Sequence, residues 1–193
     1  MPFRSPPAWA AWRHHRARTG FEVAFFAEHE TGRRIEGSTT AVEDGQPWTV
    51  GYRIVVDETW ATRRVDVQSR SRAGACRVML ETDGSGHWTL NGRPARHLDG
   101  CLDVDLESSS LTNAFPVHRL KLEVGEAADA PAAYVRADDL AVEHLEQTYV
   151  RLDDEGSGQR FDYAAPAFDF TCLLTYDESG LVVDYPGIAT RAG

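Results

Sequence analysis

GCLDVDLESSSLTNAFPVHRL, residues 100–120, alternates Leu102, Val104 and Leu106 with Cys101, Asp103, Asp105 and Glu107, then breaks into a Ser/Thr/Asn run. A period of two is the signature of a half-buried β-strand, because successive side chains point to opposite faces. The same alternation recurs at Ile54 and Val56, Val65 and Val67, Val78 and Leu80, Leu120 to Val124, and Phe168 to Tyr176. Turn signals separate these segments: Thr31-Gly32, Asp44-Gly45, Asp83-Gly84, Asn91-Gly92, Gly156-Ser157-Gly158 and Glu178-Ser179-Gly180. Asn91-Gly92 is the strongest, since both residues tolerate the positive φ that a two-residue type I′ hairpin requires.

Counted along the chain, these segments predict roughly ten to twelve strands, spaced by about 8 to 14 residues. The fold class is therefore all-β. An antiparallel sheet of that length twists and must curl or split into layers, and a curled sheet has a concave face able to hold a ligand. The best helix candidates are residues 8–16 and 138–146, both short and both readable as strand. No linker or composition shift divides the 193 residues, 42% of them hydrophobic, so a single domain over 1–193 is expected.

Net charge is −10, and Lys121 is the only lysine. Phosphate-tracking proteins need a clustered basic surface, so nucleic acid is not an expected partner. No run approaches the roughly 18 apolar residues of a membrane helix. Prolines and a tryptophan interrupt the N-terminal stretch where an export signal would be continuously apolar, which predicts a cytoplasmic protein. Cys76, Cys101 and Cys172 are widely spaced and form no C-x-x-C pair, so they are expected as buried thiols rather than metal ligands or disulfides.

Asp103, Asp105 and Glu107 would share one strand face about 6.5 to 7 Å apart. Asp103 and Asp105 thus have the spacing of an inverting glycosidase pair, which lies at about 6.5 to 9.5 Å, although spacing alone does not divide acid from base. With Asn113 they could also offer oxygen ligands to calcium, but there is no EF-hand spacing and no H-x-x-x-H pair, so no metal is expected. No G-x-S-x-G elbow and no phosphate-binding glycine loop occurs, and no cofactor is expected.

The ordered series Tyr52, Asp57, Trp60, Thr62-Arg63, Trp88-x-Leu90-Asn91-Gly92 and Gly100-Cys101-x-Asp103-x-Asp105-Leu106 resembles the bacterial putative glycolipid-binding family. It continues through Thr112-Asn113, Pro116-x-x-Arg119-Leu120, Gln147-x-Tyr149-x-Arg151, Phe161-x-Tyr163 and Asp177-x-x-Gly180-x-Val182-x-x-Tyr185-Pro186. The resemblance runs from about Trp12 to Pro186, with a domain core over about residues 9–187. It implies a cytoplasmic single domain built as a spiral β-roll, one long antiparallel sheet curled into a half-barrel trough with few short helices. Such a trough is similar to that of bacterial lipoprotein carriers, which hold acyl chains on a concave surface.

Carried over position by position, the family's polar signature falls on Asp57, Trp60, Arg63, Asp103, Asp105, Asn113, Arg119, Gln147, Tyr149 and Arg151. The implied function is non-catalytic binding of an amphipathic, acyl-bearing or glycolipid ligand, with rings stacking on a sugar and carboxylates and amides bonding its hydroxyls. The alternatives are a hydrolase of glycosidic or acyl bonds using Asp103 and Asp105, and a protein-interaction module such as a homodimer formed by edge strands. Two departures from the family pattern stand out: the 107–113 loop lacks proline, and Tyr134 stands where tryptophan is usual. Residues 1–8 have no counterpart in the pattern. Asp57, Thr62, Asn91 and Asp177 sit beside turns, where such side chains commonly bond local backbone.

Overall fold

In a computed structural model, which describes residues 3–16, 18–156 and 158–192, most of the chain is strand. Met1, Pro2 and Ser157, and with Ser157 the expected 156–158 turn, lie outside the described residues. The N-terminal strands are β1 (Trp9–His14), β2 (Thr19–His29), β3 (Gly32–Glu43), β4 (Gln46–Asp57), β5 (Thr62–Ser71), β6 (Gly74–Thr82), β7 (Trp88–Leu90) and β8 (Arg93–Pro94). After them come β9 (Asp103–Leu106), the helix α1 (Ala114–Leu120), β10 (Ala127–Asp129), β11 (Ala132–Val135) and β12 (Val142–Leu145). The chain ends in β13 (Thr148–Glu155), β14 (Gly158–Ala165), β15 (Phe170–Tyr176), β16 (Val182–Tyr185) and β17 (Ala189–Arg191).

Fourteen of these strands form one antiparallel sheet in the order β10-β13-β14-β15-β16-β17-β1-β2-β3-β4-β5-β6-β7-β8. β1 meets β17, with Trp12 opposite Arg191 and His14 opposite Ala189, so the two ends of the chain join in the middle of the sheet. The sheet stays open between β8 and β10. These edges are only two and three residues long and offer little unpaired ladder to another chain. The expected alternation is realised in the long strands: Trp48, Val50, Tyr52, Ile54 and Val56 of β4, and Val65 and Val67 of β5, all face the buried interior, whereas Leu120 to Val124, expected as strand, is the end of α1 and the turn after it. Asn91 and Gly92 have φ of 50° and 76° and join β7 to β8 with Leu90 opposite Arg93, as the hairpin signal predicts.

The trough is filled by the chain between β8 and β13. β9, β11 and β12 form a three-stranded sheet of their own, in which β9 and β11 run parallel, with Asp103 opposite Ala132 and Leu106 opposite Val135. Parallel partners are joined by long crossovers rather than tight turns, so no local signal announces this pairing. α1 is buried over Ala114–His118 and sends Phe115 into the apolar cluster under the N-terminal strands and Val117 into the one under β13–β16. Pro116 is tolerated because it lies in the first turn, where no intrahelical N–H is needed. Residues 8–16 and 138–146, the helix candidates, supply β1 and β12 instead, because ladder partners on β2, β17 and β11 override a weak local preference.

Two turns have the same construction. In Asp57-Glu58-Thr59-Trp60-Ala61, Asp57 Oδ1 accepts from Thr59 N (2.8 Å), Thr59 Oγ1 (2.7 Å) and Ala61 N (3.1 Å). In Asp177-Glu178-Ser179-Gly180-Leu181, Asp177 Oδ1 accepts from Ser179 N (2.8 Å), Ser179 Oγ (2.7 Å) and Leu181 N (3.0 Å). Trp60 and Gly180 occupy equivalent positions with φ of 69° and 70°. His118 of α1 sits between the turns, stacked on Trp60 (3.7 Å, 8°) and donating from Nε2 to Ser179 O (3.0 Å).

A Cβ on Gly180 would lie 2.4 Å from His118 Nε2, whereas one at Gly187, also left-handed (φ 79°), would meet nothing within 4 Å. Gly187→Ala is expected to cost about 1 kcal/mol of backbone strain, and Gly180→Ala about 2 kcal/mol because the clash adds to it. Urea unfolding midpoints of the two variants check this; equal losses would mean that His118 gives way freely.

Candidate functional site

Between the small sheet and the inner face of β14–β16 lies a cleft of about 250 Å³. On its lining Tyr134 of β11 packs against Phe168 with ring centres 5.3 Å apart, and Tyr163, Phe170 and Tyr185 contact one another at 6.0 to 6.2 Å. Period two places Tyr163 and Tyr185 inward, and the small sheet turns that inward face into a cleft wall rather than solid core. The polar side chains on the lining are Asp105, Glu107, Ser109, Asn113 and Arg18.

Asp105 is a buried carboxylate. Its Oδ1 accepts from Thr112 Oγ1 (2.8 Å) and its Oδ2 from Gln147 Nε2 (2.6 Å). Burial pushes its pKa above the ordinary carboxylate value, against the pull of those two hydrogen bonds. Gln147 spends its second N–H on Tyr163 OH (2.9 Å), tying the carboxylate to the aromatic wall. Asn113 accepts from Tyr149 OH on its side-chain oxygen (3.1 Å) and from Tyr176 OH on its backbone carbonyl (3.1 Å), which fixes the side chain that borders the cleft. Arg18 donates to Glu107 O (2.9 Å), lies 3.5 Å from Glu43, and carries its guanidinium over Trp48 (5.3 Å).

The remaining residues singled out in the sequence lie elsewhere. Asp103, 1% exposed, is held by Arg119 through Nη2 (2.6 Å) and Nε (3.2 Å), and is not on the lining of this cleft. Asp57 binds its own turn and Arg63 (2.7 Å). Trp60 and Arg151 line a second cavity of about 500 Å³ at the C-terminal end of α1, with His118, Lys121 and Phe161. Arg151 lies over the Phe161 ring (5.2 Å) and pairs with Asp154. The structure therefore brings Asp105, Asn113, Gln147 and Tyr149 together, with only Asp105 and Asn113 on the cleft surface.

Sequence reasoning did not sort Tyr163, Phe168, Phe170 and Tyr185 from core aromatics, nor single out Arg18. Period two places Tyr163 on the inner face of β14, but Phe168 ends a 3-10 turn ahead of β15, so strand alternation does not mark the wall.

Chemically, the cleft can stack rings or methylenes against aromatic faces and bond hydroxyl or ammonium donors through Asp105. The Asp103–Asp105 spacing does not make an acid/base pair facing one substrate, because Asp103 is sealed behind Arg119. Among the described residues, no group of three or more His, Cys, Asp or Glu is arranged to hold a metal ion. All three cysteines are free, and burial raises the pKa of Cys101 and of Cys172 to about 12, which keeps both thiols protonated. No helix among the described residues is long and apolar enough to cross a membrane.

The family model described as "Putative glycolipid-binding" matches residues 9–191. Among solved structures, a DUF1089 family protein from Pseudomonas aeruginosa superposes with a TM-score of 0.78 at 31% identity, covering 98% of this chain and 95% of that one. A β-barrel-like protein of the domain of unknown function DUF1849 from Brucella abortus superposes with a TM-score of 0.54 at 12% identity, again over 98% and 95% of the two chains, and shares the fold alone. No curated protein matches the chain.

Proposed function

Since this chain belongs to the putative glycolipid-binding family, we propose that it binds an amphipathic ligand, acyl-bearing or glycolipid, in the cleft between the small sheet and β14–β16 without converting it. The observation that carries this reading is the mixed lining of that cleft: five aromatic rings together with the buried carboxylate of Asp105 and the buried amide of Asn113. An amphipath needs such a site, with apolar surface for the chain and a few fixed polar groups for the head. Of the residues implied by the family resemblance, Asp105 and Asn113 contact the ligand in this reading, and Gln147 and Tyr149 hold them in place. Asp57, Arg63, Asp103 and Arg119 act as ion-pair struts, while Trp60 and Arg151 border the second cavity.

The test is a thermal unfolding series with octyl glucoside below its micelle concentration, against glucose and octanol separately. Only the joined molecule is expected to raise the midpoint, because a ligand at 100 times its Kd stabilises by about 2.7 kcal/mol. Phe168→Ala, at a ring 53% exposed and so outside the core, should weaken binding about fivefold, in line with roughly 1 kcal/mol for a lost aromatic contact. A midpoint indifferent to all three compounds would end the proposal.

A further inference from the structure

The chemistry of the same cleft specifies the head of the ligand more narrowly. We infer that the cleft selects an amphipath whose headgroup carries a protonated or quaternary amine; the inference rests on the binding reading above and adds charge selectivity to it.

Three observations support it. First, five aromatic rings line the cleft, Tyr134 packed on Phe168 and Tyr163 on Phe170 and Tyr185, with neighbouring rings 5.3 to 6.2 Å apart. A cation within about 6 Å of several ring centres is drawn to their negative faces, and the attraction grows when water is excluded. Second, Asp105 has only neutral donors, Thr112 and Gln147, as hydrogen-bond partners, in contrast to Asp103, which has Arg119. A buried carboxylate with no cation of its own is a costly arrangement that a bound ammonium would relieve.

Third, the charges facing the cleft are unequally committed. Glu107 Oε2 accepts from Ala137 N (2.7 Å) and adds negative charge near Asp105 and Tyr134. Arg18 is the only cation on the lining; its Nη1 donates to Glu107 O, its Nη2 lies 3.5 Å from Glu43 and its guanidinium over the Trp48 ring, while its buried Nε has no hydrogen-bond partner. Burial already raises the Asp105 pKa, and an ammonium ligand beside it would pull it back down. An anionic head meets two carboxylates here, and a neutral sugar finds acceptors but leaves the charge uncompensated.

The experiment compares three probes with one chain length, decyltrimethylammonium, decyl glucoside and decyl sulfate, by calorimetry below their micelle concentrations. Decylammonium then separates a primary amine, as in an amino-sugar head, from a quaternary one. The ammonium probes are expected to bind at least tenfold more tightly than the glucoside, with the sulfate weakest. In Asp105→Asn the preference should fall to about twofold or less. Asparagine can still accept from Gln147 while its amide faces Thr112 Oγ1, which also lies 3.3 Å from Ser109 O. Phe168→Leu, at the exposed rim, keeps the apolar contact but removes the ring, and should cut ammonium binding more than glucoside binding. Glucoside binding equal to or tighter than ammonium binding overturns the inference and leaves the binding reading standing. Binding of no probe overturns both.

Discussion

Arg119→Met should destabilise the protein by about 3 to 5 kcal/mol, because it leaves Asp103 buried without its counter-charge. Asp103 is 1% exposed, Arg119 meets it through Nη2 at 2.6 Å and through Nε at 3.2 Å, and the methionine can fill the stem's volume but not the charge. Burial already raises the Asp103 pKa, and the nearby Asp57 raises it further; only the arginine opposes them. Without Arg119 the carboxyl is pushed higher still, so the variant's deficit should shrink as pH falls and Asp103 takes up a proton in the folded state. Asp103→Leu combined with Arg119→Met should recover most of the loss, since two apolar side chains of similar volume replace a buried pair at little cost. A double-mutant cycle from urea unfolding measures the coupling. A loss below about 1 kcal/mol in Arg119→Met would put this pair among ordinary surface bridges.

The sheet was legible because its strands are long and one face of each is buried. β4 and β5 carry their apolar residues at every second position, and Asn91-Gly92 announces its hairpin by the conformation only such residues tolerate. Asp57 and Asp177 were legible as side chains beside turns that bond local backbone, though not the equivalence of the two turns. The contents of the trough were not. α1 is seven residues long, too short for a periodic pattern, and follows a Ser/Thr/Asn run that reads as loop. β9 was correctly strand, yet its acids are not a wet face: all four of its residues are buried because the small sheet lies inside the curled one.

That same insertion explains what could be read of the site. Asp105 stood out in the strand alternation and Asn113 through the family resemblance, and both border the cleft. Asp103, one pleat away on the same face, is a strut because Arg119, sixteen residues later, reaches it; strand periodicity contains no information about that partner. The aromatic wall was invisible for a related reason. An inward Tyr163 is core if another layer packs flat upon it and cleft lining if that layer stops short, and the small sheet stops short.

Glu22→Gln should make the protein more stable at pH 8 by about 3 kcal/mol, and the gain should vanish near pH 4.5. Glu22 is fully buried; its Oε1 accepts from Tyr52 OH (2.7 Å) and from Ser109 Oγ, and its Oε2 from Ser110 N (2.8 Å). Burial raises its pKa from 4.5 to about 7, the three donors notwithstanding. The folded state therefore holds a proton that the unfolded state releases, so the stabilisation is complete below pH 4.5 and is lost as pH rises through about 7. At about 1.4 kcal/mol per pKa unit, the loss is on the order of 3 kcal/mol. Glutamine mimics the protonated form: its oxygen can accept from Ser110 N while its amide donates to the Tyr52 and Ser109 hydroxyls, both of which can rotate.

His14, whose Nε2 is 3.9 Å from Glu22 Oε2, has its pKa lowered to about 4 by burial and by Arg18 and His15, and His118 is lowered to about 4 mainly by burial. Those histidines contribute the opposite slope, stability gained as pH rises from about 4 to 6.5, so in the parent protein they mask the loss at Glu22. Glu22→Gln removes the loss that the histidines mask: its urea midpoint should climb more steeply than the parent's through that window, and both curves should level off by pH 8 with the variant the more stable. Parallel curves for the two proteins would mean that Glu22 titrates like an ordinary surface carboxylate. Since Ser109 both bonds Glu22 and lines the cleft, a real divergence would also make Glu22 the group through which pH reaches the cleft wall.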